Sequence, residues 1–397
     1  MSEQQSLPLA GIKVVEFTHM VMGPAAGVLL ADLGAEVLKI EPLTGDNTRR
    51  LKGSGAGYFP MYNRNKQSLC VDLKSDAGKK VVLGLIEDAD ILIENFRPGA
   101  MDKLGFSYEA LSKSNPGLIY CSLKGFLDGP YEHRTALDEV TQMMGGLAYM
   151  TGLPGKPMRA GSSVIDITGG MFGAIAILAA LEERHRTGHG QKVKSSLYES
   201  TAFMVGQHMA QQAVSGVAPQ PMSVRTSAWA VYDIFDTADG DQVFVGVVSD
   251  TQWRLFCEAF SFDDFAADES LTLNNDRVAQ RERILPVIRE RFGSMTKIDL
   301  MAALDKTGLP FAPIASPSDL FTDPHLNESG GLLDLTLHTG EKTKLPAMPV
   351  DMGGRRMSVR HDLPREGEGS RLALLNTGLT DSDIDQLVSD GILRAAD

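Results

Sequence analysis

Cysteine is scarce. Cys70, Cys121 and Cys257 are the only three in 397 residues, too few and too scattered for a disulfide framework or a thiolate metal site. Each sits among apolar neighbours and reads as a reduced core thiol, as in a cytoplasmic protein. Excess positive charge is lacking too. Lys and Arg number 38 against 51 Asp and Glu, a formal net charge of −13, which argues against nonspecific binding to nucleic acid or anionic lipid. The start, Met1 to Leu9, is polar and has no apolar segment after a basic one, so it does not read as a signal peptide. The longest apolar stretch, around Met171–Leu181, is broken by glycine and runs into Glu182, Glu183 and Arg184. That falls far short of the roughly 20 residues needed to cross a bilayer, so no membrane partner is expected. A 43% hydrophobic fraction excludes an intrinsically disordered chain, and the length suits about two domains.

Familiar catalytic signatures are also missing. Gly53-Ser54-Gly55-Ala56-Gly57 lacks the GxGxxG spacing and does not lie between a strand and a helix, so it reads as a flexible loop. There is no Walker Gly-Lys-Ser/Thr and no Gly-x-Ser-x-Gly elbow, which leaves P-loop and serine-hydrolase chemistry without support. The eight histidines form no HExxH or paired metal spacing. His185 and His189 are four apart, but Gly188 ends the helix between them, so they mark a solvated helix C-terminus and no metal is expected.

What the chain does have is alternation. Ile12–Phe17 reads as a strand, Pro24–Leu33 as a helix ended by Gly34, and Val37–Ile40 as a second strand. The pattern repeats with a strand at Leu69–Leu73 and a helix capped by Ser75 and running to Asp88. A strand at Ile91–Phe96, a helix at Tyr108–Ser114 and a strand at Leu118–Leu123 follow. Such β-helix-β units imply an α/β fold, a Rossmann-like parallel sheet with helices on both faces. The stretch 225–325 differs. Ala230–Phe235 and Gln242–Val248 flank the hairpin turn Ala238-Asp239-Gly240-Asp241, and helical patterns follow at Gln252–Phe260, Arg277–Phe292 and Lys297–Lys306. The expected organisation is a large α/β domain over 1–224, a smaller α+β domain over 225–325, and a return to the large domain over 326–397. The return begins with short strands and closes with a helix at Asp381–Val388 capped by Thr380.

Asp166 stands out, in Gly161-Ser162-Ser163-Val164-Ile165-Asp166-Ile167-Thr168-Gly169-Gly170. A long helix ending near Arg186 follows it, so its carboxylate would sit near helix N-terminal N–H groups. A carboxylate held ionised but poorly hydrated can attack an acyl carbon, with Gly169 and Gly170 offering N–H donors to an oxyanion. On spacing alone an ordinary N-cap aspartate is the simpler reading. Arg49, Arg50, Arg64, Lys66, Lys74, Arg97, Lys103, Lys124, Arg134 and Arg159 fall in loops or at strand ends of the parallel-sheet region. Ligands of open α/β sheets bind there, so these residues are candidates for phosphates or a substrate carboxylate.

Several stretches together resemble the class III CoA-transferases, the family of formyl-CoA transferase and carnitine CoA-transferase that also includes α-methylacyl-CoA racemase. They are Leu9–Phe17 with Gly23-Pro24, Leu33–Glu41, Asn63–Ser68, Asp72-Leu73-Lys74, Glu94-Asn95-Phe96-Arg97-Pro98-Gly99, Ala179-Ala180-Leu181 and Arg186–Gln191. The resemblance runs from about Leu9 to the C-terminus. It implies two chains threaded through each other as interlocked rings, a homodimer. It places the family's nucleophilic aspartate on Asp166, which would attack a donor thioester to give an aspartyl-acyl anhydride and CoA thiolate. It puts CoA against His19, Met20, Val71, Lys74, Asn95, Phe96 and Lys103. Coenzyme A thioesters then enter as substrates, with no permanently bound cofactor.

The sequence departs from the family in three places. Pro42 stands where the family often has an arginine near the adenine, and the glycine-rich lid of formyl-CoA transferase is absent after 225, which disfavours formyl and oxalate chemistry. Racemases of the family pair a histidine with an acidic residue; the matching stretch is Arg134-Thr135-Ala136-Leu137-Asp138-Glu139, with Leu137 in the histidine's place. Proton abstraction next to a thioester needs such a base, so transfer is preferred to racemisation or epimerisation. A catalytically silent acyl-CoA-binding protein is the reading from another class. For a dicarboxylic acceptor, with succinyl-CoA or a relative as donor, Arg134 and Arg225 are the candidate partners of the second carboxylate.

Overall fold

The computed structural model describes residues 7–225 and 227–396. The first six residues of the polar start and Thr226, within the Arg225–Trp229 segment, lie outside the described residues. The chain forms two compact units. One runs to Ser223 and resumes at His325; the other is Val224–Pro324.

In the large unit the first crossover is β1 (Lys13–Phe17), α1 (Met22–Asp32) and β2 (Glu36–Glu41). There follow α2 (Tyr58–Tyr62), β3 (Lys66–Val71), α3 (Asp76–Glu87) and β4 (Ile91–Glu94). Next come α4 (Ala100–Leu104), α5 (Tyr108–Ser114), β5 (Ile119–Lys124), α6 (Asp138–Met144) and α7 (Leu147–Thr151). The long α8 (Val164–Thr187), β6 (Lys192–Ser196) and α9 (Leu197–Ser215) complete this part. The strands lie in the order β3-β2-β1-β4-β5-β6, all parallel, and a C-terminal strand Leu393–Arg394 adds antiparallel to β3. The order reverses between β1 and β4, which opens a crevice at the carboxyl ends of those two strands.

Both faces of this sheet are covered, and the strands show it. Val14, Ile91, Ile93 and Ile119 pack under α1 and α8, whereas Val15, Phe17, Leu38 and Leu92 pack against Val82, Leu85 and Ile86 of α3. That is the period-two alternation of a strand between two apolar layers. Ser75 caps α3 through the Gly78 N–H, and Thr380 with Asp383 forms a capping box for the closing helix Asp381–Ser389.

Helices α1 and α8 meet closely because glycine permits it. A Cβ on Gly170 would stand 2.6 Å from the Met22 carbonyl oxygen, and one on Gly169 2.6 Å from the Met22 side chain. A backbone carbonyl cannot step aside as a side chain tip can, so Gly170→Ala is expected to cost about 1–3 kcal/mol, read by chemical denaturation. By length and composition α8 is long and apolar enough to cross a bilayer, with 24 residues and a mean hydropathy of 2.0 over its most apolar stretch. This corrects the reading of that stretch as far too short. In the fold 44% of that stretch is buried, against α1 and the β5–β6 part of the sheet, and Met171, Ile175 and Leu178 stay exposed.

The small unit is an antiparallel hairpin of β7 (Val231–Asp236) and β8 (Gln242–Val247), extended by β9 (Phe311–Pro313). Its core gathers Phe235, Val245, Trp253, Phe256 and Phe292.

Three boundaries differ from the sequence expectation. The strand expected at Leu69–Leu73 runs over Lys66–Val71, since Lys66 and Ser68 enter the sheet buried, paired with Glu16 and Glu41, which hydropathy does not register. The single helix expected over Arg277–Phe292 is two, Asn274–Ala279 and Arg281–Gly293, breaking at Gln280. The glycine-rich segment is a 3-10 turn, Gly53–Gly57, not a flexible loop.

Candidate active site

The carboxyl ends of β3, β1 and β4 bring together the residues that the resemblance singles out for CoA. His19 and Met20 follow β1, Val71 ends β3, Lys74 lies in the next loop, and Asn95 and Phe96 follow β4. Lys103 is exposed on α4. Thus His19 and Asn95 face each other across the point where the strand order reverses. Asn95 holds His19 by its backbone at both ends: its Oδ1 accepts from the His19 N–H at 3.0 Å and its Nδ2 donates to the His19 carbonyl at 2.8 Å. The Phe96 ring lies 5.7 Å from that of His19. Met20 takes the left-handed backbone region, with φ of 64°, a conformation most side chains avoid.

A buried charge network underpins this loop. Glu16, Lys39 and Lys66, on β1, β2 and β3, are all fully buried. Lys66 Nζ lies 2.9 Å from Glu16 Oε2 and donates to the Pro24 carbonyl at 3.1 Å. Lys39 Nζ lies 3.0 Å from Asp46 Oδ2 and donates to the Thr18 carbonyl at 2.7 Å. The Thr18 hydroxyl in turn donates to Glu16 Oε1 at 2.6 Å. Both flanks of the His19–Met20 loop are therefore tied to buried ions. Burial outweighs the attraction of Glu16 and pushes the Lys66 ammonium down to about 8.

Asp166 stands in the first turn of α8, half-buried. It is not an N-cap. Ser163 occupies that position and its side chain makes no capping bond. The cap comes instead from α6: Asp138 Oδ2 accepts from the Ile165 N–H at 2.8 Å and the Asp166 N–H at 3.0 Å. Burial first, and then the Asp138 charge, push the Asp166 carboxyl up to about 7 against the pull of Arg159. On α2, Tyr62 feels the Asp166 charge, and burial with that charge holds its phenol up at about 12. Gly170 lies one helical turn beyond Asp166 and abuts Met22, which puts the carboxylate beside the β1–α1 loop. Gly169 and Gly170 are not the expected oxyanion donors. They lie past the first turn, where N–H groups are bonded within the helix, and they serve the contact with α1.

Several basic residues considered as anion ligands are internally committed. Arg49 pairs with Glu41, Arg64 with Asp32, Lys66 with Glu16, Lys124 with Glu94 and Arg159 with Glu139. Arg50 donates to the Thr44 and Gly45 carbonyls. Buried carboxylates need such partners, and the sequence does not say which arginines supply them. Lys74, Arg97 and Lys103 are exposed, in the segments that follow β3 and β4. Arg134 is exposed and lies over the Tyr131 ring, 5.0 Å from its centroid, not beside Asp166. Arg225 is exposed in the small unit. The cation next to Asp166 is Arg159, whose Nη2 stands 3.9 Å from Asp138 Oδ1. Asp138 and Tyr62 went unassigned in the sequence, and Arg159 reads there as one of many anion candidates. The one signal was Asp138 itself, the acidic residue after Leu137; Leu137 is 60% exposed at the start of α6 and carries no base. A cavity of about 660 Å³ lies apart from Asp166, between Arg49, Phe59, His338 and Arg365.

Comparison with known proteins gives one consistent answer. The profile of CoA-transferase family III matches residues 9–370. A succinate–glutarate CoA-transferase of Agrobacterium fabrum is 34% identical, over 91% of this chain and 93% of that one. An acetyl-CoA:oxalate CoA-transferase of Acetobacter aceti is 32% identical, over 91% and 92%. The crystal structure of a CaiB/BaiF family protein from Brucella suis superposes with a TM-score of 0.80 at 33% identity, covering 91% of this chain and 97% of the other.

Proposed function

The chain belongs to CoA-transferase family III and is an enzyme of that family, and on that premise we propose that it moves CoA from succinyl-CoA or a similar thioester to a small dicarboxylic acid through an anhydride at Asp166. The observation that carries this reading is the Asp166 carboxyl itself, half-buried at the first turn of α8 beside the β1–α1 loop, with its proton affinity raised to about 7. A carboxylate of that basicity is a better nucleophile than a solvated one, yet at neutral pH about half of it is ionised. Asp166 attacks the thioester carbon, the C–S bond breaks and the electron pair leaves on CoA thiolate. The thiolate then opens the anhydride at the Asp166 carbonyl, releasing the donor acid and leaving an aspartyl thioester. The acceptor carboxylate attacks that thioester, and the thiolate released takes the new acyl group while Asp166 leaves as carboxylate. Charge is conserved at each step, so no nucleotide is consumed.

For CoA, the exposed Lys74 and Lys103 offer positive charge to phosphates, and Asn95 serves through the His19 loop it shapes. Support for a dicarboxylic acceptor comes from what the relatives are named for, glutarate and oxalate. The oxalate relative also weakens the lid argument against oxalate, which therefore belongs among the acceptors to be tried. Arg134 and Arg225 stay the candidates for the second carboxylate. Two copies are expected to associate, since Met171, Ile175 and Leu178 of α8 and Phe203 of α9 are exposed at 37–74%, an apolar stripe that water does not favour.

The test is mass spectrometry of CoA esters after mixing the protein with succinyl-CoA and a panel of mono- and dicarboxylic acids in D₂O. A new thioester with particular diacids and no α-deuterium is expected. Deuterium uptake without a new thioester would overturn transfer in favour of racemisation.

A further inference from the structure

Helix α8 begins without a cap of its own, yet two of the N–H groups in its first turn are taken by a side chain from another helix. Asp138 is 6% exposed. Its Oδ2 accepts from the Ile165 and Asp166 N–H groups, and its Oδ1 accepts from Gln142 Nε2 at 2.6 Å. The first turn of α8 is thereby pinned by two hydrogen bonds to one buried carboxylate, which is itself held by a third from its own helix. A serine or asparagine would satisfy the same two N–H groups. What an aspartate adds is a full negative charge next to a second carboxylate.

We propose that Asp138 is a positioning residue for CoA transfer, fixing the direction of the Asp166 side chain through the backbone of α8 and setting a like charge against the free Asp166 carboxylate. This rests on the reading of Asp166 as the nucleophile. The charge acts on one side of the reaction only. In the free enzyme the Asp138 charge, held against the α8 backbone, repels the Asp166 carboxylate, whereas in the anhydride or the aspartyl thioester Asp166 is neutral and the repulsion is gone. Asp138 therefore raises the free carboxylate relative to the acylated form and lowers the barrier to acylation. The charged or titratable groups facing Asp166 are Asp138 from α6, Arg159 from the segment before α8, itself paired with Glu139, and Tyr62 from α2.

The experiment follows the protonation of Asp166 without substrate, as the pH dependence of its labelling by a water-soluble carbodiimide, read by peptide mass spectrometry. In Asp138→Asn, which keeps an acceptor and loses the charge, the labelling midpoint is expected to fall by about one pH unit. The acid limb of kcat/KM should fall with it, and kcat should drop about tenfold while KM for the acyl-CoA stays within about twofold. Asp138→Ser, a short uncharged cap, should give the same displaced midpoint. A midpoint equal to the wild type in either variant, with an unchanged circular dichroism spectrum, overturns the proposal. The labelling needs no turnover, so a wild type that moves no CoA would remove the proposed function while the displaced midpoint still established the effect of Asp138 on Asp166.

Discussion

Asp166→Ala is expected to lower CoA transfer by about 10⁴-fold or more while acyl-CoA affinity stays near that of the wild type. In the proposed mechanism the side chain supplies the bond-forming atom, which makes the loss large; no neighbour replaces it, since Asp138 is turned to the α8 backbone and Tyr62 stays protonated. Affinity should persist because the residues expected to hold CoA follow β1, β3 and β4, in elements other than α8. Rates by mass spectrometry and affinity by calorimetry check the two halves. A variant that still transfers CoA within tenfold of the wild type would sink the assignment. Stability should move the other way. An ordinary aspartate ionises near pH 3.9 and this one near 7. Between those values the unfolded chain gives up a proton that the folded chain keeps, so this group's contribution to stability falls as pH rises across the window. Asp166→Asn removes that penalty. Its melting temperature should exceed the wild type's at pH 8 and match it at pH 4.

Lys66→Met should be the most damaging change outside the reacting centre. It leaves Glu16 Oε2 in a fully buried position without its 2.9 Å partner; the Thr18 hydroxyl and Lys39, 3.7 Å away, reach only the other oxygen. Breaking a buried pair on one side costs about 3–5 kcal/mol, because the remaining charge keeps its desolvation penalty. The site is rigid. A Cβ on Gly27 would stand 1.7 Å from Glu16 Oε2, so α1 has no room to relax around the orphaned carboxylate. Chemical denaturation measures the loss. The double variant Lys66→Met with Glu16→Gln should recover part of it, since the unpaired charge is then gone. Because Lys66 also holds the Pro24 carbonyl at the start of α1, KM for the acyl-CoA should rise in the single variant. A stability change under about 1 kcal/mol would mean that the network is not what holds this loop.

The sequence by itself determined the architecture of the large unit. Short β-branched runs alternating with capped helices admit few solutions other than a parallel sheet covered on both faces, and β1, α3, α5 and the closing helix lie close to where their apolar period and caps put them. It also marked Asp166, as a cap by its spacing and as the nucleophile by resemblance. Only the tertiary structure decided what surrounds it. Asp138 and Asp166 are 28 positions apart, in separate helices, and nothing in local spacing says that one caps the other. Likewise Lys66, Arg64 and Arg49 looked like anion ligands until Glu16, Asp32 and Glu41 were found against them. The physical reason is the same in each case. Secondary structure responds to the period of apolar burial, which the chain carries locally. The charge of a buried group depends on which distant residues surround it and on how little water they leave.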